Sequence, residues 1–176
     1  VVSVGATNWL GGRTATEHLL AAGHKRVAYV GGPSMAECHI ARRHGYLAAL
    51  DAHDIDRDED LILDGSFSTQ RGVTALRELL ALDEPPTAIF AASETTAVGI
   101  YEEAARHGIR IPEQLSVIGF DGTYLGVQTL PPMTTVAQPL QEMGSAALRL
   151  ILRQAAHGII QSHHVELATR LIERRS

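Results

Sequence analysis

Short apolar runs recur along this chain, and between them the apolar positions change period. The runs are VVSV (1–4), RVAYV (26–30), DLILD (60–64), TAIFA (87–91), LSVIGF (115–120), MTTVA (133–137) and VELATRLI (165–172). Each is rich in β-branched or aliphatic residues and reads as a strand. The intervening stretches space their apolar residues three and four apart. Leu76, Leu79 and Leu80 follow Val73. Ala97, Ile100, Tyr101, Ala104 and Ala105 share one stripe, and Leu140, Met143, Gly144, Ala147, Leu150 and Ile151 share another. This spacing predicts amphipathic helices. Strands alternating with helices imply an α/β fold with a doubly wound, mainly parallel sheet covered on both faces. Gly23 and Gly108 read as left-handed helix caps, and Pro112 blocks continuation of the helix before it. Residues 122–132, GTYLGVQTLPP, read as a linker or crossover.

In an open sheet of this kind, ligands bind beyond the carboxyl ends of the strands, where the strand order reverses. The polar segments at those ends are GGPSMAEC after RVAYV, GSFSTQ after DLILD, SETTA after TAIFA, and Asp121 after LSVIGF. An apolar strand that ends on a carboxylate points to a ligand. Arg42 and Arg43, early in a helix, supply candidate donors, since a guanidinium offers several N–H groups in a fixed fork. Phe67 offers an apolar face. Arginine, aspartate and an aromatic together suit a polyol with adjacent hydroxyls. Ser93 stands between a strand and a helix, where it serves as an N-cap or faces a ligand.

Charge and composition narrow the picture. The net charge is -5, with no basic stretch that would mark a nucleic-acid surface on this chain. No apolar run approaches the length of a membrane span, and no signal peptide is visible. The single cysteine, Cys38, excludes an internal disulfide and fits a reducing compartment; a cytoplasmic location is the expectation. The nine histidines show no zinc spacing and read as solvated or capping residues, so no metal is expected. The acidic run from Asp51 to Asp60 lacks the glycine and glutamate of a calcium loop. Neither nucleotide-binding fingerprint follows Gly31 and Gly32, and no GxSxG elbow occurs. No catalytic constellation emerges, so the reading is of a non-enzyme without a cofactor.

Taken in order, TNWLGGRTATEHLLAAGHKRVAYVGGP, the R-x-x-G-Y of Arg42 to Tyr46, LDGSFSTQRGVTAL, PPTAIFAASETTAVGIYEEAARHGIRIPEQLSVIGFDG, LPPMTTVAQPLQEMGSAALRLIL and LATRLIERRS resemble the lactose-repressor (LacI/GalR) family of bacterial transcription regulators. The resemblance covers nearly the whole chain and falls on the effector-binding region. It implies the C-terminal lobe of a type I periplasmic-binding-protein-like fold. It also implies a fragment without the DNA-binding domain and most of the N-terminal lobe. Ligand contacts then fall on Arg42, Asp121, Phe67, Ser93, Ala36 and Cys38. Thr7-Asn8, Glu94 and Gly122 depart from the usual pattern, at caps and turns.

The same resemblance divides the chain into a C-terminal lobe (1–122), a crossover and N-lobe segment (123–160), and return strands to the C-terminal lobe (161–176). It implies a homodimer through the helix carrying Val98 and Tyr101, both large for exposed positions, and through the loop 123–130. The partners implied are a small effector, a neutral sugar given the uncharged Ala36 and Cys38, and operator DNA reached only through the missing domain. A sugar-binding subunit of a transport system is the alternative. The helix 140–156 is expected to find a substitute for the absent lobe, with hinges in residues 122–132 and 156–162.

Overall fold

Strand side chains alternate between two faces, and here each face is filled by its own layer of helices. The computed structural model describes residues 3–157 and 164–176. In chain order the elements are β1 (Ser3–Ala6), α1 (Asn8–Ala21), β2 (Val27–Val30), α2 (Glu37–Ala52), β3 (Ile62–Leu63), α3 (Thr69–Leu80), β4 (Ala88–Ala91), α4 (Glu94–Arg106), β5 (Ser116–Asp121), α5 (Leu125–Gln128), β6 (Thr134–Ala137), α6 (Leu140–His157), β7 (His164–Leu167) and β8 (Arg170–Ile172).

Six strands form the main sheet in the order β3-β2-β4-β5-β6-β8. All its pairings are parallel except β6 with β8. Tyr29, Phe90, Ile118 and Phe120 point to one face and pack with Leu19, Tyr46 and Leu50 of α1 and α2. Val30, Ile89, Ala91 and Val117 point to the other and meet Leu76, Leu79, Ile100 and Ala104 of α3 and α4. This is the doubly wound arrangement expected. The strand order reverses between β2 and β4, so the crevice lies where α2 and α4 begin. On the second face, α3 and α4 touch backbone to backbone. A Cβ on Gly99 would lie 1.9 Å from the Thr69 carbonyl oxygen, and one on Gly72 would lie 2.0 Å from that of Thr96.

Several expectations are corrected. DLILD yields only two strand residues, because Glu59–Leu61 closes into a 3-10 turn capped by Asp58. VELATRLI is two strands, not one. β7 pairs with β1 in a separate two-stranded parallel sheet, and β8 pairs with β6 in the main sheet. β1 stands outside the main sheet, while Thr134–Ala137 joins it; the expected boundary at 160/161 lies outside the described residues. The cause is backbone pairing, which the apolar pattern does not specify. The chain crosses between the sheets three times, at Thr7, at Gln138–Pro139, and at Ala168–Thr169. Two crossings are tied together, since the Thr169 N–H donates to Thr7 Oγ1 at 2.9 Å and the Thr7 N–H to the Leu167 carbonyl at 3.0 Å.

The helix α6 packs against β1, with Met143, Ala147 and Leu150 half-buried. Its expected stripe is only partly covered, because Leu140 and Ile151 are exposed together with Leu148 and Leu152. The second expected hinge, 156–162, lies largely outside the described residues. No described helix is long and apolar enough to cross a membrane.

Candidate functional site

Arg42 is the centre of the site. It comes from the second turn of α2, is only 4% exposed, and sits over Phe120 with its guanidinium carbon 3.7 Å from the ring centre. Its Nε donates to Asn8 Oδ1 at 2.9 Å, and one terminal nitrogen donates to the Ala92 carbonyl at 2.6 Å. That same nitrogen stands 3.7 Å from Asp121 Oδ1. Four elements thus converge on one guanidinium: the start of α1, α2, the end of β4 and the end of β5. Burial lowers the Arg42 pKa, and Asp121 opposes that.

Asp121 ends β5 with φ +119°, and Gly122 follows at +72°. A left-handed aspartate is strained, at about 1–3 kcal/mol, and such strain collects at functional sites. Two contacts from the β6–α6 crossover hold it. The Gln138 side-chain amide donates to Asp121 Oδ1 at 2.8 Å, and the Gln138 N–H donates to the Asp121 carbonyl at 3.0 Å. Burial pushes the Asp121 carboxyl above its ordinary range, while Arg42 and Gln138 draw it back. Its side chain remains a quarter exposed.

Glu94 completes the turn from behind. Its fully buried carboxylate accepts from the Gly122 N–H at 3.1 Å, from the Thr123 N–H at 2.8 Å, and from the Thr123 hydroxyl. The departures at 94 and 122 are therefore one local solution: the longer acid reaches the turn that Gly122 permits. A Cβ on Gly122 would lie 2.3 Å from that of Ala137.

The other expected residues are placed as follows. Phe67 is half-buried on Gly32, its ring centre 6.0 Å from the Arg42 guanidinium carbon. Ser93 is the N-cap of α4, its Oγ accepting from the Thr96 N–H at 3.1 Å. Ala36 is the N-cap residue of α2 and Cys38 stands one turn before Arg42, both half-buried. Tyr101 is not an exposed aromatic: it is 9% exposed and belongs to the α3–α4 core, because its helix turns this side inward. Val98 beside it is half-buried. The exposed apolar residues nearby are Tyr124, Val127 and Leu130. His39, read as solvated or capping, is instead buried against Tyr29 and Asp64. Asn8, Gln138 and Glu94 were missed as site residues. Each is an ordinary crossover or cap residue in sequence, and only the fold brings it to Arg42 or Asp121. Among the described residues no group of histidine, cysteine and acidic side chains could hold a metal ion.

The profile of the periplasmic binding protein-like domain matches residues 16–176. The HTH-type transcriptional repressor CytR of Escherichia coli (strain K12) is 40% identical over 160 residues, covering 90% of this chain and 45% of that protein. The HTH-type transcriptional regulator CelR of Thermobifida fusca is 35% identical over 166 residues, 94% of this chain and 49% of the relative. The chain therefore spans about half the length of these curated relatives. Among solved structures, the transcriptional regulator CelR–cellobiose complex superposes with a TM-score of 0.94 at 35% identity, over 99% of this chain and 54% of that one. The transcription regulator CcpA of Lactococcus lactis gives 0.94 at 27% identity, over 100% of this chain and 64% of that one. With a doubly wound sheet, strand-end polar residues gathered at one crevice, and these relatives, the chain belongs to the periplasmic binding protein-like domain family, in the form of a LacI/GalR-type regulator's effector-binding region.

Proposed function

We propose that this region binds a small neutral polyol, a sugar, and passes the bound state to a DNA-binding segment elsewhere in the same polypeptide. The observation that carries the reading is the Arg42–Asp121 pair. One cation and one carboxylate 3.7 Å apart leave no surplus positive charge for a phosphate or carboxylate ligand. The second terminal nitrogen of Arg42 donates to no described protein group. A donor beside a carboxylate suits adjacent hydroxyls, each of which both donates and accepts. Phe67 offers an apolar sugar face its partner. Ser93, Ala36 and Cys38, at or near the starts of α4 and α2, bring no charge to that reading. Among the described residues no general acid or base is poised against a nucleophile, and binding rather than turnover is the activity proposed, in the cytoplasm, where operator DNA lies.

The relatives named as regulators support this over a transport subunit. The CelR structure carries cellobiose, which makes that disaccharide the first probe. Response requires the ligand to favour one arrangement over another. The three crossings supply the place, since Gln138 at one of them already holds Asp121. We further propose a homodimer through Val98 and the flank of Tyr101 on α4, with the exposed Tyr124, Val127 and Leu130.

The test is calorimetric titration of the intact protein with neutral mono- and disaccharides, cellobiose among them, and with a sugar phosphate as charged control. A neutral sugar should bind, and Arg42→Ala should abolish its binding while operator-DNA affinity without ligand is unchanged. Tighter binding of the sugar phosphate than of every neutral sugar refutes the reading.

A further inference from the structure

We infer that His39 is a positioning residue for the ligand-facing aromatic: its neutral imidazole staples Gly32 to Asp64 and so seats Phe67 opposite Arg42. The inference deepens the carbohydrate reading and rests on it for its binding consequence. His39 stands on α2 three residues before Arg42 and is 1% exposed. The Gly32 N–H donates to His39 Nδ1 at 3.1 Å. Nδ1 accepts only when it carries no proton, which places the ring proton on Nε2. Nε2 faces Asp64 Oδ1 at 3.2 Å. The Tyr29 hydroxyl closes the cluster, 3.1 Å from Nδ1 and donating to the His39 carbonyl at 3.2 Å.

The staple holds both walls of the loop that carries Phe67. The Gly65 N–H donates to the Gly32 carbonyl at 3.0 Å, joining the exits of β2 and β3. The turn has no slack, because a Cβ on Gly31 would lie 2.3 Å from the imidazole and one on Gly32 would lie 2.3 Å from the Phe67 ring. If Gly32 moves, Phe67 loses its seat and its 6.0 Å approach to Arg42.

The same geometry makes the loop sensitive to acid. The charged and titratable groups facing the ring are Asp64 at the β3 exit, Arg42 and Arg43 on α2, and the Tyr29 phenol on β2. Burial lowers the His39 pKa and Asp64 only partly opposes it, so the neutral ring persists at neutral pH. A proton added to Nδ1 would point at the Gly32 N–H, donor against donor.

Two substitutions separate the acceptor from the ring. His39→Asn sets a carboxamide oxygen near the place of Nδ1. His39→Gln sets an amide near the place of Nε2 and leaves the Gly32 N–H without an acceptor. In the intact protein, selectively 15N-glycine-labelled, amide exchange should show Gly32 protection falling about tenfold or more in the Gln variant and staying close to wild type in the Asn variant. Cellobiose affinity should follow the same order, about tenfold weaker for Gln. The wild-type protein gives a measurement that needs no variant. Its Gly32 protection factor should fall in one single-proton step below the ordinary histidine range. Equal protection in all three proteins overturns the inference, as does a flat pH profile. Loss of protection in both variants overturns it as well, since ring volume rather than the acceptor nitrogen would then decide the geometry. If the wild-type protein binds no cellobiose, the carbohydrate reading fails on that probe, while amide exchange still decides the role of His39.

Discussion

Removing the Glu94 carboxylate should unlatch the strand-end turn on which Asp121 depends. Glu94→Ala leaves three donors without their acceptor: the Gly122 N–H, the Thr123 N–H and the Thr123 hydroxyl. Hydrogen bonds to a charged group contribute roughly 1.5–3 kcal/mol each. Removing a fully buried carboxylate also returns its desolvation cost, and water can reach the half-buried turn. A net of about 1 kcal/mol per donor gives about 3 kcal/mol in all. For a chain of this size each kcal/mol lowers Tm by about 2–4 °C, so Tm should fall by roughly 6–12 °C. Urea unfolding of the wild type, Glu94→Ala, Thr123→Ala and the double variant closes a cycle. Contacting residues of this kind couple by about 0.5–3 kcal/mol. A Glu94→Ala loss below about 1 kcal/mol, or a cycle with no coupling, refutes the latch. Sugar binding offers a second readout, since a released turn lets the left-handed Asp121 relax away from Arg42.

Three further outcomes are expected. Gly99→Ala drives a methyl into the Thr69 carbonyl, where overpacking costs about 1–3 kcal/mol, and chemical denaturation should report it. Glu103 is clamped by Arg77 at 2.6 Å, Arg106 at 2.8 Å and His107 at 3.1 Å, and the Arg77 hydrogen bond leads in holding its carboxyl down to about 2. A depressed carboxylate gives stability that is full above its unfolded pKa and is lost as pH falls toward 2; Glu103→Gln should remove that part of the acid dependence, as thermal melts between pH 2 and 5 would reveal. Leu130→Asp, at the most exposed apolar position of the proposed interface, should yield a monomer in sedimentation, and an unchanged dimer would move the interface elsewhere.

The sequence by itself determined the fold class and most of the elements, and it singled out Arg42 and Asp121, which the fold brings to 3.7 Å of each other. Period-2 and period-3.6 patterns are local, so α3, α4 and β5 could be read directly, and Gly23 and Gly108 take the positive φ that their cap positions demand. Asp121 and Arg42 stood out because a carboxylate ending a buried strand and an arginine at the start of a crevice-facing helix are costly unless something holds them. Tertiary structure alone decided what holds them. Asn8, Gln138 and Glu94 lie 34, 17 and 28 residues from their partners. Pairing over such distances depends on strand order and crossover placement, and hydrophobic periodicity does not encode either. The same limit split VELATRLI between two sheets, since each half reads as strand but only backbone pairing assigns its neighbour. Tyr101 and His39 show the complementary case. An amphipathic side chain is equally at home at a surface or in a core. Which it does depends on whether a partner waits inside, as the α3–α4 core does for Tyr101, and as Gly32 and Asp64 do for His39.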